Sequence, residues 1–143
     1  MDFAQIIEFT GNHPFLILAF VGTLAALIYS EISRRLSGML TVGVVEATQL
    51  SNRENAVFLD IREDKEYRGG HIPEAIHIPL SQLSARVSEL GKYNDRPVIA
   101  YCRSGKRSSS AGGVLKKNGF ESVYNLGGGI AAWEKANLPV STK

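Results

Sequence analysis

The stretch Val98-Ile99-Ala100-Tyr101-Cys102-Arg103-Ser104-Gly105-Lys106-Arg107-Ser108 joins an apolar run to a basic, glycine-containing loop and places the chain's single cysteine at the junction. A strand over Pro97–Tyr101, a tight loop and a helix over Ser108–Asn118 would ring the Cys102 sulfur with backbone N–H groups, an arrangement that favours an anion. A free thiol has a pKa of ~8.5, and helix starts and neighbouring cations lower it. Arg103, Lys106 and Arg107 supply the cations, and no carboxylate lies within the loop. A lone cysteine is commonly a small buried hydrophobe. Here, however, the cations, the glycine and the serine run Ser108-Ser109-Ser110 make a poor core. Cys102 therefore reads as a nucleophile facing an anionic substrate, with the loop holding charge that develops or departs.

Outward from this loop, strand and helix signals alternate, which predicts a parallel sheet flanked by helices. Thr41–Val45 is a weak first strand and Glu46–Ser51 a short helix. Ala56–Asp60 is a continuous apolar run ending in an acid, as expected of a strand buried on both faces whose C-terminal end reaches the functional edge. Ala75–Ile78 is a short strand closed by Pro79; Leu80, Leu83, Val87 and Leu90 recur at helical spacing, with Gly91 as C-cap. Ser122–Leu126 is the last strand and Ile130–Ala136 the last helix. Gly112-Gly113 in the active-site helix costs ~1 kcal/mol per glycine relative to alanine, which predicts close helix-to-sheet packing there.

Several further runs share a pattern with the loop. Asp60-Ile61-Arg62, Glu66-Tyr67, Gly70-His71-Ile72-Pro73 and Ala75, then Asn125-Leu126-Gly127-Gly128-Gly129-Ile130, Ala132-Trp133 and Leu138-Pro139-Val140 follow in order. From about Leu40 to Val140 the chain resembles a single-domain rhodanese, the sulfurtransferase module that carries sulfur as a cysteine persulfide. The resemblance implies that Cys102 takes sulfane sulfur from thiosulfate or a persulfide donor and passes it to cyanide or a thiol, without a cofactor. Arg103, Ser104, Gly105, Lys106, Arg107 and Ser108 would then bind the anionic donor, and Asp60 and Arg62 would support the pocket wall. Thiosulfate is a dianion and sulfite leaves as another, which suits N–H donors with Arg103 and Arg107 as anion ligands and Lys106 adding field.

A related fold hydrolyses phosphate esters with five residues between cysteine and arginine. Only four separate Cys102 from Arg107, and neither a preceding histidine nor an obvious general acid is present. His71 reads as structural, since it lacks a paired acid or second ligand, and His77, in a strand, reads as structural too. No His, Cys, Asp and Glu spacing suggests a metal site. Trp133 is expected to pack the last helix, and Gly127-Gly128-Gly129 reads as a turn near the pocket.

Between Glu8 and Glu31 lie 22 residues without Asp, Glu, Lys or Arg. Phe15–Tyr29 is almost wholly apolar, a transmembrane candidate whose strict core spans ~22 Å against the ~30 Å hydrocarbon layer. It starts acidic, lacks a cleavage-site pattern and ends at Arg34-Arg35, which predicts an uncleaved single-pass anchor over residues 1–32, a linker over 33–39 and a domain over 40–143 facing the cytoplasm. A net charge of +2 with no Lys/Arg run argues against a nucleic-acid surface. The tether leaves a second function class open: a membrane-tethered rhodanese-fold interaction module whose partner is a membrane protein and whose turnover is incidental.

Overall fold

The computed structural model describes residues 13–36 and 39–142; residues 1–12, part of the expected 33–39 linker and Lys143 lie outside them. The chain divides into two compact units at Leu36/Ser37.

The first unit contains one helix, α1 (Pro14–Leu36), of 23 residues. Pro14 suits its first turn because the missing N–H would be unpaired there anyway. The helix is about 34 Å long, so it outruns the strict apolar core and exceeds the ~30 Å hydrocarbon layer. Its Pro14–Ile32 portion has mean hydropathy 2.1 and is long and apolar enough to cross a membrane. Phe15, Leu18, Phe20 and Tyr29 are exposed. Thr23 and Ser30 donate their hydroxyls back to the carbonyls of Ala19 and Leu27, at 2.8 Å each, so these side chains need no water.

The second unit is a parallel sheet of five strands in the order β1-β5-β4-β2-β3. The strands are β1 (Leu40–Val42), β2 (Val57–Asp60), β3 (Ile76–His77), β4 (Val98–Tyr101) and β5 (Val123–Leu126). The helices are α2 (Val44–Glu54), α3 (Asp64–Arg68), α4 (Leu80–Arg86), α5 (Ala111–Lys117) and α6 (Gly129–Lys135), with 3-10 segments at Val87–Tyr93 and Ser108–Ser110. Side chains alternate across each strand. In β4, Val98 and Ala100 enter one core with Leu59, Leu83 and Leu115, while Ile99 and Tyr101 enter the other with Phe58, Ile130 and Trp133. Burial on both faces is the reason β2 and β4 are unbroken apolar runs. Trp133 donates its Nε1–H to the Pro139 carbonyl at 2.9 Å and packs edge-on to Phe58, tying the last helix and the C-terminal segment to the sheet.

Several boundaries differ from expectation for local reasons. β1 ends at Val42 because Gly43 caps α2, which starts before Glu46 and runs to Asn55 in the left-handed region (φ 54°). Gly91 lies within a 3-10 segment instead of capping a helix. The expected helix from Ser108 opens as a 3-10 turn and becomes α-helical only at Ala111, in keeping with the weak helix propensity of serine and glycine. The expectation of close packing at both glycines also fails in part. Gly112 is buried, but a Cβ on Gly113 would meet nothing within 4 Å.

Candidate active site

β4 ends at Tyr101 and delivers Cys102 to the C-terminal edge of the sheet, beside the ends of β2 and β5. Cys102, Gly105 and Ser108 are buried, whereas Arg103, Ser104, Lys106 and Arg107 are exposed. The Gly105 N–H donates to Cys102 Sγ at 3.1 Å. Gly105 can do this because its φ is +86°, a conformation L side chains rarely adopt, and an added Cβ would stand 2.9 Å from the Leu126 carbonyl. Burial pushes the Cys102 thiol up, but the Ser108 hydroxyl and the backbone N–H groups of Ser108, Ser104 and Gly105 outweigh it and hold the thiol below its ordinary value. Of the expected contributions, the hydrogen-bond donors of the loop are the ones that lower this thiol, ahead of the helix start and the three cations.

Ser108 Oγ sits 3.5 Å from Sγ and only 2.5 Å from Asn125 Oδ1. A hydroxyl has one proton, so Ser108 donates it either to Asn125 or to the sulfur. The shorter contact favours Asn125 as the acceptor, and the longer one keeps the hydroxyl within reach of the sulfur. Asn125 Nδ2 meanwhile donates to the Gly105 carbonyl at 3.1 Å, so one amide holds the middle of the loop and its Ser108 end.

Behind the loop, Asp60 and Arg62 form a buried ion pair: Arg62 Nη2 reaches Asp60 Oδ2 at 2.6 Å and also donates to the Gly70 carbonyl at 2.6 Å. Burial disfavours the Arg62 charge, but Asp60 more than restores it and holds the guanidinium above its ordinary value. Arg62 lines a cavity of about 320 Å³ with Lys65, Glu66, Arg103 and Glu134. Arg107 does not stand free as an anion ligand. Its Nη2 and Nη1 lie 2.8 and 3.0 Å from the two carboxylate oxygens of Glu66 on α3. His71 Nδ1–H donates to the Tyr67 carbonyl at 3.1 Å and His77 Nε2–H to that of Arg62 at 2.8 Å, and both rings stack on Tyr67 at 3.9 and 4.2 Å. Both histidines are thus engaged in structure.

The rhodanese-like domain profile matches residues 44–136, well over half the chain. The chain belongs to the rhodanese family. It is 36% identical over 137 residues to the uncharacterized protein YibN of Escherichia coli K12, covering 95% of this chain and 96% of that one. It is also 41% identical over 92 residues to a sulfurtransferase of Allochromatium vinosum, covering 64% and 84% of the two chains. The structure of a rhodanese-related protein from Thermoplasma volcanium superposes with a TM-score of 0.65 at 26% identity, over 73% of this chain and 99% of that one.

Three residues of this rhodanese site have roles that its sequence does not show. Asn125 stands in one of the runs that carry the family resemblance, but nothing local ties its amide to the Cys102 loop. Glu66 lies 41 residues from Arg107, too far for any spacing rule. Gly129 was read as part of a turn, yet it has φ +57°, and a Cβ there would fall 2.3 Å from the Cys102 carbonyl oxygen. That close approach lets Ile130 N–H donate to the Cys102 carbonyl at 2.9 Å and Ala131 N–H to that of Arg103 at 3.2 Å, so α6 clamps the loop.

The Ser108 arrangement yields a measurable expectation. Because its hydroxyl and N–H depress the thiol, Ser108→Ala removes one of the stabilising donors and shifts the pH midpoint of Cys102 alkylation upward by about one unit, the size of a charge-assisted hydrogen bond. The thiolate fraction at neutral pH falls accordingly. A midpoint unchanged or lowered by Ser108→Ala contradicts the assignment.

Proposed function

We propose that this rhodanese moves sulfane sulfur from thiosulfate or a persulfide donor, through a persulfide on Cys102, to a thiophilic acceptor such as cyanide or a thiol. The observation that carries this is the Gly105 N–H aimed at Cys102 Sγ at 3.1 Å, within a set of donors that holds the thiol low. In the first step the Cys102 thiolate attacks the outer sulfur of thiosulfate; the new S–S bond forms as the old one breaks, and sulfite leaves with the electron pair. In the second, cyanide attacks the outer sulfur of the persulfide, thiocyanate leaves, and the thiolate returns to its N–H donors. Neither step needs an external oxidant or reductant. Arg103 and Lys106 draw the anion in from the exposed side of the loop, with Arg107 adding what Glu66 leaves of its charge, while Ser104, Gly105 and Ser108 bind it through N–H and hydroxyl donors. Asp60 and Arg62 hold the wall behind it.

Mass spectrometry of the protein after thiosulfate treatment tests the reading. One added sulfur on Cys102, removed by cyanide with release of thiocyanate, is expected. An unmodified Cys102 after both thiosulfate and a persulfide donor sinks it.

We further infer that α1 anchors the chain in a membrane with the rhodanese domain on the cytoplasmic side. Its hydropathy and length support this, as do Arg34-Arg35 following the span and the 95% coverage of the alignment with YibN, which reaches into this helix. In cells whose outer envelope alone is permeable, added protease leaves the domain intact; its digestion there reverses the orientation.

A further inference from the structure

Arg107 is the loop cation that the Cys102 charge reaches, since Glu66 first and then Cys102 hold its guanidinium above its ordinary value. Yet both of its terminal nitrogens are already paired with Glu66 at 2.8 and 3.0 Å. The Glu66 carboxylate is held in place from its other side, where Oε2 accepts the Glu63 N–H at 3.3 Å in a capping box at the start of α3. Arg107 first, and the Glu63 N–H with it, keep this carboxylate below its usual range, so it is anionic at neutral pH. A negative charge therefore stands at the mouth of a site otherwise built for anions, and it offsets the cation best placed to receive one. Glu66 also faces the cavity of about 320 Å³ lined by Arg62, Lys65, Arg103 and Glu134. Asp60 already engages Arg62, so Glu66 and Glu134 stand against Lys65 and Arg103 and leave little positive charge to attract a compact dianion.

We propose that Glu66 is a specificity-determining residue that sets the charge selectivity of this site, biasing it toward singly charged sulfane donors such as organic persulfides and against doubly charged ones such as thiosulfate. The inference rests on the sulfurtransferase reading above. With a persulfide R–S–SH, the Cys102 thiolate bonds to the terminal sulfur, the R–S bond to that sulfur breaks, R–S⁻ leaves with the electron pair, and the proton stays on the new Cys102 persulfide. The bound donor then brings at most one negative charge past Glu66. Thiosulfate brings two, and its second charge meets the carboxylate.

Two probe donors isolate that second charge. Thiosulfate and methanethiosulfonate deliver the same sulfane sulfur and differ mainly in carrying two charges or one. Dividing kcat/KM for thiosulfate by that for methanethiosulfonate in one variant cancels any change in thiolate fraction, because both donors meet the same Cys102. Glu66→Gln keeps a capping-box side chain and removes the charge. It raises this ratio about ten-fold over wild type, chiefly through a lower KM for thiosulfate. Glu66→Asp keeps the charge while withdrawing from the two-pronged contact, and it leaves the ratio within about two-fold of wild type. A role confined to positioning Arg107 predicts instead that both variants lose activity toward both donors in parallel. An increase of less than about three-fold in Glu66→Gln, a decrease, or an Asp variant that matches the Gln variant overturns the inference while leaving sulfur transfer standing. Failure of both donors to load Cys102 in the wild type overturns the sulfurtransferase reading, and this inference with it.

Discussion

Gly129→Ala destabilises the domain by about 3–5 kcal/mol and removes sulfur transfer with it. The residue sits at φ +57°, where a Cβ costs roughly 1–3 kcal/mol, and that Cβ would lie 2.3 to 2.6 Å from three backbone atoms of Cys102 and Arg103. Backbone cannot rotate aside as a side chain does, so relieving the overlap means moving the loop away from α6, at about 1–3 kcal/mol more. The shift breaks the bonds from Ile130 and Ala131 to the loop carbonyls. For a domain of this size Tm falls by more than about 10 °C. Gly113→Ala is the matched control: its Cβ meets nothing within 4 Å and the helix gains up to ~1 kcal/mol, so Tm holds or rises. If the two variants melt alike and Gly129→Ala keeps its thiosulfate turnover, the clamp is not what positions Cys102.

Cys102→Ser abolishes transfer while leaving the fold intact. The side chain is buried in a core with Leu59, Ala100 and Leu115, and a serine oxygen can still accept the Gly105 N–H. What disappears is the polarisable nucleophile that alone can hold sulfur as a disulfide-like bond; a hydroxyl is neither ionised at neutral pH nor stable once sulfurated. Turnover from thiosulfate and from persulfide donors therefore drops to the uncatalysed rate with an unchanged thermal midpoint. Residual transfer above about one per cent of wild type would place the reacting group elsewhere. Loss of the melting transition would mean that the sulfur packs the core, as an inert buried cysteine would.

The fold was readable because both faces of this sheet are covered. Val57-Phe58-Leu59 and Val98–Tyr101 are uninterrupted apolar runs for that reason, and each ends where polar chemistry begins, at Asp60 and Cys102. The Cys102 loop announced itself through local composition: cations, a glycine and serines directly after a strand. What stayed hidden depends on distant segments meeting. Glu66 reaches Arg107 from a helix of five residues, too short to show a period, and the cation it engages looks free when the loop is read alone. The boundary errors have a similar origin. Ser108–Ser110 winds as a 3-10 turn because its hydroxyls and N–H groups serve the loop, Ser108 toward Asn125 and Cys102 and Ser109 toward the Lys106 carbonyl, where a sequence pattern registers only a helical stretch.

Cys102 is only 1% exposed, and that constrains the order of events. With so little surface, its sulfur can be approached by one molecule at a time, so the first product must depart before the acceptor arrives. Double-reciprocal plots at several acceptor concentrations then run as parallel lines, the signature of a ping-pong cycle with a free covalent intermediate. On the proposed persulfide cycle, a second sulfur would extend the side chain by one bond of ~2.05 Å and bring the reactive atom that much nearer the acceptor. The unmodified protein conceals its sulfur, and on the proposed cycle only a loaded one would offer an acceptor something to touch.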